Sequence, residues 1–360
     1  MTDVAFDVAV VGAGPAGAAC ALRLASRGLS VLLFNGGRRR GWREGEVLGP
    51  EAAELLVREV GCAIPPASLA IEARQSRWEA STPLGFETRV WSAAPAWVVD
   101  REALDRALCD AASAAGAHRI NSAVTAVSRT AKGWLLSDGE QHVVSARFLV
   151  EATGRVSRSL ACPDTARLFV DRLICQSAVV PRDSSHFPMM GIAATAWGWC
   201  YTVPLRGSRT FLSWFTDADL RNSPGAASLG TCLEAFGYPA TTGVSAGRPG
   251  TVCARSSIRT RLWRGPWLAI GDAAWCLDPL SGDGISRAVS DGLAAADAIA
   301  ASLQSGADEV LRQHALGRAA AFKSALLSRL RVYAAVPDWQ DEPFWRRRKG
   351  ASLVRSNPWP

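Results

Sequence analysis

A glycine-rich turn near the start of the chain limits its fold more than any other feature. The apolar run 6–11 is typical of a buried strand, and Gly12-x-Gly14-x-x-Gly17 follows it directly, before an alanine- and leucine-rich helical stretch over 18–27. In such a turn the first glycine permits the tight bend, the second lets backbone approach a pyrophosphate, and the third allows helix and strand to pack closely. The phosphates lie at the helix N-terminus, where free amides and the helix dipole favour negative charge. The pattern predicts a dinucleotide site that includes Ala16 between the last two glycines.

The end of the next strand departs from the usual dinucleotide pattern. The apolar run 29–34 completes a strand–helix–strand unit, and Asn35 stands where an acidic residue ordinarily accepts the ribose hydroxyls. A hydrogen bond to a charged group contributes about 1.5–3 kcal/mol and a neutral one about 0.5–1.5 kcal/mol. The difference weakens binding by less than about tenfold. Asn35 is therefore either a weaker ribose contact or a simple turn residue before Gly36 and Gly37.

A second glycine-rich segment, 271–286 (GDAAWCLDPLSGDGIS), indicates which dinucleotide binds. It follows an apolar run at 267–270 and leads into a helical stretch at about Gly284, an arrangement that has no place in a simple NAD domain. Asp272 is expected to accept from a ribityl hydroxyl or to cap a turn, while 279–285 present backbone amides to the N1/O2 edge of a reduced flavin. Two such turns, far apart in sequence, suit one extended ligand, FAD. The residues expected to hold its flavin half are Gly271, Asp272, Pro279, Gly282, Gly284 and Ile285.

The order of patterns along the chain predicts its domain organisation. Segment 67–100 is typical of short antiparallel strands, and 168–255 shows β-branched and aromatic strand patterns with almost no helix. Helix–strand alternation returns at Trp267. We therefore predict an α/β protein: a Rossmann-like FAD-binding domain, an inserted β-rich substrate domain of the aromatic-hydroxylase type, and a helical C-terminal tail. The predicted bounds are 1–165 with 256–310 for the FAD-binding domain, 166–255 for the β-rich domain and 311–360 for the tail.

Composition argues against several other classes of protein. The nine cysteines and four histidines are scattered without metal-ligand spacing, which predicts neither a metal site nor a disulfide framework and favours a reducing, cytoplasmic setting. The N-terminal segment lacks the basic flank of a signal peptide and is too interrupted by glycine to span a membrane. The net charge is +7, but no nucleic-acid-binding motif accompanies it.

The C-terminal tail has two interpretations. Trp339 and Trp345 lie beside the basic run Arg346-Arg347-Arg348-Lys349. Because Trp and Arg are enriched at binding hot spots, this segment is a candidate docking strip for a partner polypeptide, and truncation before Asp338 then spares FAD binding but abolishes turnover. The alternative is that the tryptophans fold the tail onto the body of the protein.

The motifs together resemble the flavin-dependent monooxygenase and halogenase superfamily. The resemblance extends from residue 5 to about 348 and includes, besides the two glycine turns, Gly45-Glu46-Val47-Leu48, Asp100-Arg101 before a helix, and Ala152-Thr153-Gly154-Arg155. It implies FAD contacts at four further residues: Arg43, Glu46, Arg101 and Gly154.

Four segments are similar to one branch of that superfamily, the flavoproteins that help to mature tryptophan-derived quinone cofactors, such as cysteine tryptophylquinone, in partner oxidases. These are GWCYTVPL (198–205), FTDADL (215–220), DPLSGDGI (278–285) and PFWRRR (343–348). The similarity implies an FAD-dependent monooxygenase that uses NAD(P)H and O2 to hydroxylate an electron-rich ring, here a tryptophan within a partner polypeptide. NAD(P)H would be a transient reductant, because no second Rossmann motif is visible. Since the cofactor carries the hard chemistry, the catalytic candidates are few: Asp278, Asp283 and Tyr201.

Three alternatives remain. Flavin-dependent halogenases resemble this chain, but they are thought to need a lysine from the early part of the sequence, and lysine occurs here only at 132, 323 and 349. Trp197-x-Trp199 also lacks the Ile-Pro continuation of the halogenase signature. A small-molecule aromatic hydroxylase is the second alternative, and a non-catalytic flavoprotein scaffold that binds a partner is the third.

Overall fold

The computed structural model describes most of the chain. The described residues are 5–36, 44–78, 87–90, 94–139, 142–155, 158–181, 189–223, 229–236, 250–336 and 339–349. Arg43, one of the expected FAD contacts, lies outside them, as does Asp338.

Strands are numbered here in chain order. They are β1 (Ala5–Val11), β2 (Val31–Phe34), β3 (Val47–Leu48), β4 (Leu69–Ile71), β5 (Ala73–Arg77), β6 (Glu87–Val90), β7 (Ala96–Val98), β8 (His118–Ile120), β9 (Ala126–Thr130), β10 (Gly133–Ser137), β11 (Val143–Glu151), β12 (Arg167–Phe169), β13 (Leu173–Pro181), β14 (Met190–Thr195), β15 (Gly198–Leu205), β16 (Arg209–Asp217), β17 (Gly250–Cys253), β18 (Ser257–Arg259), β19 (Trp267–Ala269) and β20 (Trp275–Cys276).

Helices are numbered in the same way, and short helical turns supplement them. The α-helices are α1 (Pro15–Ser26), α2 (Pro50–Leu55), α3 (Arg101–Ala114), α4 (Leu229–Ala235), α5 (Gly284–Ser305), α6 (Glu309–Ala334) and α7 (Pro343–Lys349). A π-helical turn, Leu56–Val60, continues α2, and 3-10 turns occupy Gly271–Ala273 and Pro279–Ser281. Within the described residues, no helix is both long and apolar enough to cross a membrane.

The predicted dinucleotide-binding fold is built on a parallel sheet. Its strand order is β8-β2-β1-β11, with β19 beside the end of β11 and the antiparallel pair β10-β9 beside its start. Val8 of β1 lies opposite Val31 of β2 and Phe148 of β11. Helices α1, α3 and α5 cover one face, and small residues allow α1 to be buried along most of its length. The other face packs against Trp275 of β20 and Phe322 of α6.

A second sheet, which also has seven strands and is called the large sheet below, is built mainly from the β-rich region predicted after residue 168. Its order is β17-β13-β16-β15-β14-β5-β6, antiparallel except where β14 meets β5. The α/β class with an FAD-binding unit and a β-rich unit is confirmed. Strands β5 and β6 precede residue 166 in the sequence. They pair with each other, and β5 joins the sheet beside β14. The exact domain bounds remain a prediction.

One cysteine pair corrects the expectation from the sequence. Cys200 of β15 and Cys232 of α4 form a disulfide with Cα atoms 5.6 Å apart. Both side chains are buried, since α4 packs on the face of the large sheet and brings Cys232 over Cys200. The two cysteines are 32 positions apart in the sequence, a spacing that is not typical of any disulfide motif.

The described part of the C-terminal tail, 339–349, packs against the core, which supports the second interpretation and not the docking strip. Phe344 and Trp345 of α7 are 0% and 1% exposed. The Trp345 indole donates to the carbonyl oxygen of Thr195 at 2.8 Å. Trp339 is half-buried against the same aromatic cluster.

Two of the four basic residues in α7 are likewise structural. Arg348 is buried and donates to both oxygens of Asp217, at 2.6 and 3.2 Å. Arg347 bonds Asp217 at 2.9 Å and Asp219 at 2.7 Å. Burial lowers the pKa of Arg348, but the Asp217 carboxylate outweighs this and raises the pKa above the ordinary arginine value. Of the basic run only Arg348 is buried; Arg346, Arg347 and Lys349 are exposed, and Arg347 is held by its two carboxylate partners.

We expect Arg348→Ala to destabilise the protein by about 3 kcal/mol, because it removes one partner of a buried ion pair. The effect stays at the low end of the usual range since Arg347 still reaches Asp217. Urea unfolding gives the free energy. The matched control is Arg346→Ala in the same turn of α7, where an exposed side chain should change stability by less than about 0.5 kcal/mol. Equal effects of the two variants would contradict the buried pair as the anchor of α7.

Candidate FAD site

The two glycine-rich turns lie next to each other at one edge of the parallel sheet. Strands β1, β11 and β19 are neighbours, and each turn follows the carboxyl end of its strand. Backbone bonds extend the sheet into the turns: Gly12 N donates to Phe34 O at 3.1 Å, and Ile270 N to Glu151 O at 2.9 Å. Ligands of open α/β sheets bind at this edge. The fold thus brings together the segments that the sequence assigned to one extended ligand.

Some glycines of the two turns serve close backbone packing. A Cβ at Gly12, whose φ is +109°, would collide with the carbonyl oxygen of Ala152, and one at Gly17 would collide with that of Gly12. A Cβ at Gly271 would lie 2.7 Å from the Cβ of Ala16. The first and second turns are therefore in direct contact through Ala16 and Gly271.

Other glycines face open space, where a cofactor fits. A Cβ at any of these would meet no protein atom within 4 Å: Gly14, Gly154, Gly282 and Gly284. Helix α1 starts after Gly14 with no acidic residue in its first turn and no side-chain cap, so its first amides are free for phosphate. Helix α5 also starts at a glycine and has no acidic residue in its first turn. Its second residue, Ile285, is buried. These features fit the pyrophosphate and flavin ends of FAD.

Asp291 of α5 supports the second turn, and the motifs in the sequence did not single it out. Its carboxylate is 1% exposed and accepts from the Gly271 amide at 2.6 Å. Arg318 of α6 donates to the other oxygen at 3.2 Å. The next residue, Gly292, lets α5 touch the backbone of Ala16, where a Cβ would not fit. Adjacent residues of α5 thus hold both turns, and the detectable signal was an acidic residue within an alanine-rich helix.

Arginines fix the segment after Gly271. Arg155 donates to Asp272 at 3.3 Å and to the Leu277 carbonyl at 3.0 Å. Arg167 donates to the carbonyl oxygens of Asp272 and Ala273. Burial lowers the pKa of Arg155, but the charge of Asp272 more than offsets this, and the pKa is raised. Asp272, expected at the ribityl chain, is accordingly oriented by a permanent cation.

The two candidate catalytic carboxylates both shape the turn. Asp278 is 4% exposed and accepts from Leu280 N at 3.2 Å, which caps the Pro279 turn. It also receives Arg329 at 2.9 Å and the Tyr333 hydroxyl at 3.1 Å. Asp283 is more exposed and pairs with Arg287 at 3.2 Å. The contacts favour holding roles for both; their catalytic role stays a prediction.

Tyr201, Glu46 and Arg101 lie together at the segment that follows residue 43. The Tyr201 hydroxyl donates to Gly45 O at 2.9 Å, and a Cβ at Gly45 would collide with Phe211. Arg101 bonds Glu46 and, at 2.9 Å, Asp105. Desolvation, followed by the charge of Glu46, raises the pKa of Tyr201 well above its usual value. The phenol therefore stays protonated and ties the large sheet to this segment.

Asn35 lies at the end of β2, as expected. Its backbone amide donates to Ile120 O at 2.8 Å, and its side-chain amide donates to the Asn121 oxygen at 3.3 Å. The bond to Asn121 orients the side-chain amide of Asn35. A ribose contact remains a prediction.

Comparison with known proteins agrees with this site. A tryptophan halogenase family model matches residues 55–356, and an FAD-binding domain model matches residues 7–45. The peptidyl tryptophan dihydroxylase QhpG, essential for tryptophylquinone cofactor biogenesis, has a similar structure, with a TM-score of 0.78 at 25% identity over 97% of this chain and 80% of QhpG.

Two curated relatives extend the comparison. LodB of Marinomonas mediterranea, assigned as an FAD-dependent oxidoreductase, is 25% identical over 97% of this chain and 98% of its own length. The 1H-pyrrole-2-carbonyl-[peptidyl-carrier protein] brominase of Pseudoalteromonas luteoviolacea is 25% identical over 82% of this chain and 77% of its own.

The fold and the site define an FAD-dependent flavoprotein oxidoreductase. Within that class, the chain belongs to the tryptophan halogenase family.

Gly14→Val and Gly284→Val should each weaken FAD binding by about 10- to 100-fold, the effect of ~1–3 kcal/mol of overpacking against the cofactor. Neither position has a strained backbone or a protein neighbour within 4 Å, so the apoprotein should tolerate the new side chain. Titration of apoprotein with FAD, followed by flavin fluorescence, measures the change. Gly317→Val on α6, which also has open space, is the control. Unchanged FAD affinity in the Gly284 variant would separate the second turn from the cofactor.

Asp291→Ala should destabilise the protein by about 3 kcal/mol or more, because it leaves the Gly271 amide and the Arg318 guanidinium without their buried partner. Asp291→Asn retains an oxygen for the Gly271 amide but loses the charge, so we expect an intermediate loss. Urea unfolding and FAD titration measure both effects. Asp297→Ala on the same helix is the control, since Asp297 is 44% exposed in its pair with Arg27 and should cost less than about 1 kcal/mol. If Asp291→Ala keeps the stability and the FAD affinity of the wild-type protein, Asp291 does not hold the second turn.

Proposed function

We propose that the protein is a monooxygenase that hydroxylates a tryptophan ring within a partner polypeptide, with NAD(P)H as the reductant. The observation that carries the proposal is the similarity to QhpG, whose substrate is a peptidyl tryptophan, over 97% of this chain. The likeness to LodB covers 98% of the length of that relative.

The reaction balances without any further co-reactant. The ring C–H bond is replaced by C–OH, one atom of O2 enters the product, and the other leaves as water, with two electrons and one proton supplied as hydride by NAD(P)H and a second proton supplied by solvent. FAD supplies electron transfer and oxygen activation. The chain supplies binding and orientation: the α1 amides hold phosphate, Asp291 and Asp278 hold the second turn, and Tyr201 joins that region to the large sheet.

Halogenation is the alternative that the family model raises. The sequence contains no lysine before residue 132, whereas the halogenases that the chain resembles are thought to use an early lysine between flavin and substrate. The described residues place Trp199 in a buried stack on Phe215, with ring centroids 3.8 Å apart, so that this tryptophan serves the core. The lack of an early lysine favours hydroxylation over halogenation.

The test is a turnover assay on the holoprotein with three substrates: the precursor polypeptide of a tryptophylquinone oxidase, free tryptophan, and the polypeptide with added bromide. With NADH or NADPH and isotopically labelled O2, we expect mass gains of one or two labelled oxygen atoms on tryptophan of the polypeptide alone. Bromine incorporation would assign the protein to halogenation, and labelled free tryptophan to small-molecule hydroxylation.

Reduction must be tested separately. Anaerobic mixing with NADH and with NADPH, followed at the flavin absorption band, should bleach the flavin without an added reductase. If neither donor reduces the flavin but chemically reduced protein still hydroxylates the polypeptide, the reductant is wrong and the substrate stands. If binding to the polypeptide is measurable but no oxygen is consumed, the protein is a scaffold.

A further inference from the structure

Helix α6 supplies a tyrosine that connects the large sheet to the second glycine-rich turn. The Tyr333 hydroxyl accepts from the Trp199 indole at 3.1 Å and donates to Asp278 at 3.1 Å. Asp278 in turn receives the Leu280 amide at 3.2 Å. A continuous line of hydrogen bonds therefore runs from β15 to the backbone of the turn that Gly282 completes.

We propose that Tyr333 is a positioning residue for the flavin, which sets the turn 278–282 relative to the large sheet through the line Trp199–Tyr333–Asp278. The inference rests on the proposed function in one respect: the large sheet carries the substrate and the turn carries the flavin. Tyr333 touches neither and acts through Asp278.

The three side chains of the line are buried, and the carboxylate of Asp278 is paired with an arginine. Trp199, Tyr333 and Asp278 are 1%, 3% and 4% exposed. Arg329 of α6 neutralises Asp278 at 2.9 Å, and the Arg348 guanidinium lies 5.2 Å from the Tyr333 ring centre. Burial, reinforced by the charge of Asp278, raises the pKa of Tyr333 well above its usual value. The hydroxyl therefore keeps its proton and remains the donor to Asp278.

Both ends of the line are at positions where a shift has consequences. Trp199 and Tyr201 lie two residues apart on β15 and so share a face of the sheet. Tyr201 bonds the Gly45 carbonyl, at the segment the resemblance assigns to FAD. At the other end, Gly282 and Gly284 border the open space expected to receive the flavin. A hydrogen bond in a low-dielectric interior is stronger and less tolerant of loss than one at the surface.

The experiment compares Tyr333→Phe with Trp345→Phe in the holoprotein. Tyr333→Phe removes two buried hydrogen bonds and Trp345→Phe removes one from the same aromatic cluster, but the Trp345 indole donates to Thr195 O and lies outside the line. We expect both variants to lose thermal stability. Only Tyr333→Phe should change the visible absorption and circular dichroism of bound FAD, and alter its rate of reduction by NAD(P)H about tenfold, the factor that one hydrogen bond of ~1.4 kcal/mol supports.

Flavin spectra identical to wild type in Tyr333→Phe, or the same spectral change in Trp345→Phe, would overturn the inference, because Tyr333 would then be structural. Should Tyr333→Phe not fold, Trp199→Phe keeps the Tyr333–Asp278 bond and loses the donation from the sheet together with part of the packing on Phe215. It should shift the spectrum in a weaker form, and no shift refutes the line. The spectra require no substrate. A polypeptide that is not hydroxylated therefore removes the proposed function, while the spectra still decide the role of Tyr333.

Discussion

The contact between α1 and α5 is the constraint on which the rest of the site depends. Helix α5 approaches the backbone of Ala16 only because residue 292 is glycine, and the Gly271 turn reaches the same residue because it too lacks a Cβ. The neighbouring Asp291 then fixes Gly271 by a buried hydrogen bond of 2.6 Å. Two turns that are far apart in sequence become one surface through these contacts. Without this close approach of α1 and α5, the two glycine turns would not face the same ligand.

Buried charge, and not apolar packing alone, orients the flavin side of the molecule. Asp291 with Arg318, Asp278 with Arg329, and Asp217 with Arg348 each join an element near the site to a helix of the C-terminal part. An isolated buried charge costs several kcal/mol, so each carboxylate is tolerable only with its arginine in place. Because these pairs tolerate little displacement, the C-terminal helices and the turns are fixed together.

Local sequence patterns predicted the elements that carry strong periodicity or turn chemistry. Helix α5 was expected to begin at about Gly284 and runs over Gly284–Ser305, and the β-rich region after 168 was confirmed. What depends on contacts between distant residues escaped prediction, as with β5 joining β14 and Cys232 lying over Cys200, or was left as one of two alternatives, as with the burial of Trp345. A basic run such as 346–349 reads the same whether its guanidinium groups face water or meet Asp217, since the partner lies some 130 residues away.

The candidate catalytic side chains all make contacts that hold the structure, and their catalytic role remains a prediction. Asp278 is occupied by Arg329, Tyr333 and Leu280 N, Asp283 by Arg287, and the Tyr201 hydroxyl by a backbone carbonyl. A group that holds backbone in this way cannot also transfer a proton without releasing its partner. Cofactor chemistry needs few such groups, because binding and orientation are the protein's main contribution. On these contacts, differences in substrate among relatives should lie in the large sheet and its loops, while the frame around the two turns stays the same.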